Sequence, residues 1–164
     1  MAKFMFTGLD EYEEQLAQLA SEDSVKSVCG AAIYAGADEV ANAVRESIQA
    51  IPTVDYRKHG TGQQKLSGIT SEQKKGLLDG FGITPMSRTD GYYNVKLGFD
   101  GYNGVRTKKY PSGQPNTMIA RSVDSGTSFR QKIPFMKTAV RQSKPKALDA
   151  MSRAFDDEMK KQIK

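Results

Sequence analysis

The sequence predicts an α+β fold, with long N-terminal helices, a small antiparallel sheet and a C-terminal helix. Three patterns carry this. Apolar residues recur at helical spacing through the first fifty residues. Strict alternation from Tyr92 to Phe99, just after an Asp-Gly pair, marks a hairpin near 81–99. A last helical repeat closes the chain.

Leu9, Tyr12, Leu16 and Leu19 predict a first helix. Thr7 or Gly8 suits its cap, and the early acids suit the positive end of its dipole. Ser21 to Ser24 reads as a break. A longer helix then follows Val25, Val28, Ala32, Gly36, Val40, Ala43, Ser47 and Ile51 until Pro52 stops it. Its apolar side is mostly small residues, which permits close helix approach. Residues 53–71 are polar, basic and aperiodic, and read as a long loop.

Tyr93, Val95, Leu97 and Phe99 alternate with Tyr92, Asn94, Lys96 and Gly98, predicting one strand. Phe81 and Ile83 begin its partner, and Asp90-Gly91 supplies the turn. A second long loop covers residues 101–115. Neither loop has enough apolar surface to hold itself down. Residues 117–124 fit a helix or a strand equally. After the compact knot Ile133-Pro134-Phe135-Met136, a closing helix is expected from a Ser143 N-cap, with Pro145 in its first turn. Leu148, Met151, Phe155 and Met159 mark its apolar side.

The 164 residues suit one domain. No apolar run approaches the ~20 residues of a membrane span. No signal peptide is evident, so the chain is expected to work without export. Cys29 is the only cysteine, and its small apolar neighbours suggest a packed thiol. The single histidine, His59, stands in the first loop, where solvation is the simplest reading. Common zinc patterns, phosphate loops, calcium loops and nucleophile elbows are all missing, so no catalytic, cofactor or metal site is expected.

Net charge is +5 and uneven. Asp10, Glu11, Glu13, Glu14, Glu22 and Asp23 make the start acidic. The two loops carry Arg57, Lys58, Lys65, Arg106, Lys108 and Lys109, six candidate basic contacts. Such asymmetry suits an acidic protein neighbour, nonspecific proximity to DNA, or simply a solvated surface.

The C-terminal third carries a resemblance. Val123, Asp124, Gly126, Thr127 and Ser128, then Pro134, Phe135, Met136, Lys137 and Ala139, then the helix from Leu148 to Met159, follow a recurring order. That order resembles the tail-completion, or head–tail joining, family of long-tailed bacteriophages. The opening "FTGLDEYEEQLAQL" and the spacing of Gly76 and Leu78 are similar to the same family. Ser125 stands where the family has an aromatic residue, Ile133 where a basic one is common, and Thr138 where a second proline is usual.

The resemblance implies a virion structural protein of the neck or upper tail. It would form a ring, commonly sixfold, joining the tail end to head-completion or connector proteins around the DNA path. Its other neighbours would be tail-terminator or tail-tube proteins, and it would reside in host cytoplasm before assembly. A tail-terminator ring is the nearest alternative, and a DNA-binding accessory protein a more distant one. Gly126, Thr127, Pro134, Phe135, Met136 and Lys137 are then the candidate anchor or interface residues: Gly126 turns the chain, Pro134 restricts it, Phe135 and Met136 anchor it, and Lys137 is basic as in the family pattern.

Overall fold

The computed structural model describes residues 16–17, 19–55 and 65–163. The expected first helix lies almost entirely outside the described residues, as do Arg57, Lys58 and His59.

Helix α1 spans Glu22–Ala50. Ser21 caps it, its hydroxyl accepting from the Ser24 amide at 3.2 Å, and Glu22 and Asp23 lie in the first turn where the dipole favours acids. It ends at Ile51, just before Pro52, as the spacing predicts. Helix α2, Ser71–Gly80, corrects the expectation of a loop through Ser71. A reciprocal capping box starts it: Thr70 Oγ1 accepts from the Gln73 amide, and Gln73 Oε1 accepts from the Thr70 amide.

The hairpin follows, but not as two continuous strands. Strands β1 (Phe81–Ile83) and β4 (Leu97–Phe99) pair antiparallel, with Phe81 opposite Phe99. Strands β2 (Ser87–Thr89) and β3 (Tyr92–Asn94) form a second ladder, with Ser87 opposite Asn94. Between the ladders the first arm has Thr84, Pro85 and Met86 and the second only Val95 and Lys96. That extra residue is a bulge, and it breaks the strand read through 92–99. Asp90 (φ 52°) and Gly91 (φ 83°) make the two-residue turn with both φ positive, as an Asp-Gly hairpin requires.

Helix α3, Asn116–Ser125, resolves the ambiguous 117–124 stretch, because Ile119, Ala120 and Val123 share its buried face. Helix α4, Phe135–Gln162, begins eight residues before the expected Ser143 cap. Ser143 is instead buried inside α4, and Pro145 is an interior proline on the exposed side. The knot and the closing helix are therefore one element.

Helices α1 and α4 pack antiparallel. Ser24 Oγ donates to Gln162 Oε1 at 2.9 Å at one end, while Ala43 and Ser47 line a groove with Ala139 and Ser143 at the other. Small residues let the two backbones approach closely. Glu158 accepts from Lys161 and from Ser27 of α1, and these bonds hold its carboxyl below the usual carboxylate range. The apolar face expected of α4 is turned partly outward: Leu148 is 56% and Phe155 43% exposed, while Ala139, Ser143 and Ala147 face inward.

The core lies where the C-terminal half of α1 meets α2, α3, the inner ladder and the start of α4. Val44, Ile48, Leu77, Phe81, Val123 and Phe135 belong to it. The Phe99 ring stands 5.0 Å from Phe81 and 6.2 Å, edge-on, from Phe135. The outer ladder runs along the other half of α1: the Met86 amide donates to Tyr34 Oη at 2.8 Å, and Arg88 pairs with Glu22. Cys29 is only half-buried there, facing a hollow shared with Val25, Ile33 and Tyr92.

Candidate assembly interface

Helix α3 stops because Gly126 has φ 74°, a conformation side chains disfavour, and a Cβ there would meet Lys132 Cβ at 3.0 Å. The next four residues close a turn. The Thr127 amide donates to the Arg130 carbonyl at 3.0 Å, and Thr127 Oγ1 accepts from the Arg130 amide at 3.1 Å. The chain then doubles back beside α3, with the Ile133 amide donating to the Val123 carbonyl at 2.8 Å.

Pro134 stands at the N-cap of α4, where its missing N–H costs nothing. It offers no side-chain cap. Asp124 replaces it from the neighbouring helix: its Oδ1 accepts from the Met136 amide at 3.0 Å. A carboxylate at a helix N-terminus also suits the dipole. Phe135 then enters the core at 4% exposure, and Met136 packs half-buried against it. Lys137 points outward and is exposed. Burying a phenylalanine contributes about 1.5–3 kcal/mol, so Phe135 ties the corner to the core while Lys137 remains accessible.

The structure thus brings Gly126, Thr127, Pro134, Phe135, Met136 and Lys137 into one corner. It brings Lys65 there as well. Leu66 forms a parallel bridge with Arg130, its amide donating to the Phe129 carbonyl and its carbonyl accepting from the Gln131 amide. Leu66 and Ile69 are buried, which corrects the expectation that the first loop lacks anchoring apolar surface. Arg106, Lys108 and Lys109 do not join the corner. They are exposed on the 101–115 loop, whose base is closed by the Tyr102–Pro115 bridge and by the Asn103 amide donating to the Gln114 carbonyl.

Sequence reasoning missed the buried polar chain under the corner. Arg130 is 2% exposed and Gln73 1%. Gln73 Nε2 donates to Gln114 Oε1 at 2.7 Å, and Arg130 Nη2 lies 3.5 Å from Gln73 Oε1. A cavity of about 430 Å³ beside them is lined by Leu66, Met118, Ile119 and the exposed Phe129. The Thr70-x-x-Gln73 capping pattern could have revealed Gln73. Nothing in sequence spacing distinguishes Arg130 from the exposed bases around it.

No group of three or more metal-ligating side chains occurs among the described residues, and no described helix is long and apolar enough to cross a membrane. No protein-family model, curated protein or solved structure matches the chain.

Proposed function

We propose that this chain is a structural subunit of the phage neck or upper tail. Copies would form a ring that completes the tail and joins it to the head around the DNA path. The reading rests on the ordered motif from Val123 to Ala139 and its resemblance to tail-completion proteins.

The observation that supports it best is the division of labour across three residues. Phe135 is buried, Met136 is capped by Asp124, and Lys137 is exposed on the first turn of α4. A corner fixed from inside presents a charged surface at a constant angle, which is what assembly by complementary surfaces requires. Its action would be association without turnover.

Electron microscopy of the intact particle tests this. The chain should fit density at the head–tail joint. Its placement in the capsid shell, the distal tail or nowhere in the particle would reject the reading.

A further inference from the structure

From Ser125 to Leu148 the sequence has six basic residues and no acid, whereas from Phe4 to Val25 it has six acids and no base. Antiparallel packing sets the starts of α1 and α4 at opposite ends of the helix pair. Helix α1 has 29 residues and is therefore ~43 Å long. That separation is several times the Debye length of about 8 Å at physiological salt. Lys137 and Arg141 near the start of α4 therefore attract Glu22 and Asp23 at the start of α1 in the same copy only weakly.

The basic block has a defined receiving face. Lys137, Arg141, Lys144 and Leu148 follow one another at i+4, i+7 and i+11 on α4, and Val140 lies beside them. Val140 is 45% and Leu148 56% exposed, and the three bases are exposed. None of the ion pairs among the described residues involves Lys137, Arg141 or Lys144. This face is both apolar and basic, so a solvated surface accounts for only half of it.

The N-terminal segment has the complementary composition. Leu9, Tyr12, Leu16 and Leu19 recur at helical spacing, with Asp10, Glu11, Glu13 and Glu14 between them. We infer that residues 9–19 of one copy dock on the Lys137–Leu148 face of the next copy. Leucines cover Val140 and Leu148, and carboxylates meet the three bases. Each copy offers one donor segment and one acceptor face, so copies can link head-to-tail, and such a series closes into a ring when the rotation permits. Ring closure rests on the neck reading; the contact itself does not.

Carbodiimide cross-linking of the full chain tests the contact, using an equal mixture of ¹⁴N- and ¹⁵N-labelled protein. Amide links between carboxylates at 10–14 and Lys137 or Lys144 should appear as isotope-mixed peptide pairs. They should fade at roughly 0.5 M salt, where screening shortens to about 4 Å. Arg141→Glu, which removes no cross-linkable amine, should reduce them on the order of fivefold without altering the melting curve. Same-isotope pairs alone would show the segment folding back on its own copy and overturn the inference. So would an absence of links to α4, or protection of Lys137 by duplex DNA with no copy-to-copy links. Missing links in a protein that electron microscopy still places at the neck would remove this contact and leave the neck reading standing. Mixed pairs in a protein absent from the neck would do the reverse.

Discussion

The Asp124 carboxylate caps α4 through the Met136 amide at 3.0 Å, so the end of one helix fixes the start of the next. Pro134 cannot cap by side chain, and Gly126 has already turned the chain. Asp124 thereby joins the two halves of the Val123–Ala139 motif. Asp124→Ala should lower unfolding free energy by about 1–2 kcal/mol, measured by urea denaturation. Asp124→Asn, which retains an acceptor, should lose less. Equal losses would mean that charge at the helix terminus, rather than the hydrogen bond, is what Asp124 contributes.

Phe135 is the inner anchor of the same corner. Phe135→Ala should cost roughly 3–5 kcal/mol, because the ring is buried and meets Phe99 edge-on. Such a loss is a large part of a typical domain's stability. Thermal unfolding of the purified variant should show a sharply lowered midpoint. A near-normal midpoint would mean that the site collapses around the missing ring.

Gly36 and Met151 share one point of the α1–α4 seam. A Cβ on Gly36 would overlap the Met151 side chain and lie 3.3 Å from the Ala147 carbonyl. Alanine improves helix propensity by about 1 kcal/mol, but overpacking costs typically 1–3 kcal/mol. Gly36→Ala should therefore be neutral to destabilising, and Met151→Ala in the same chain should restore the propensity gain. A double-mutant cycle by denaturation measures the coupling. Additive effects would show that the helices separate there at no cost.

Much of this architecture is legible in the residues, and the failures have physical causes. Helix α1 was readable from the Val28, Ala32 and Gly36 spacing, and its end from Pro52. The hairpin was readable from Asp90-Gly91, which few other dipeptides replace where both φ are positive. The strand break was not, since alternation continues through Val95 while the extra residue lies on the opposite arm. The start of α4 was misplaced because Ser143 and Pro145 imitate a helix start. Tertiary packing overrides that local signal by burying Ser143 against α1. The corner was legible as a motif, but its cap and the buried Arg130 depend on contacts between distant segments.

The 101–115 loop should show two regimes of hydrogen exchange. The amides of Asn103 and Asn116 donate to the carbonyls of Gln114 and Gly101, and both side chains are buried. They should exchange slowly in the free protein, while Arg106 and Lys108, exposed at the tip, should exchange fast. Uniformly fast exchange would mean that the loop base opens independently of the core.

Lys137→Glu tests the central claim most directly. Lys137 is exposed beside a buried anchor, so charge reversal there should leave the folded subunit intact. The decisive measurement pairs the variant's thermal unfolding curve with an in-vitro assay joining separate heads and tails. A melting curve within about 0.5 kcal/mol of the parent, together with impaired joining, is the predicted result. Unchanged melting with unimpaired joining would remove Lys137 from any interface and reduce the corner to packing alone.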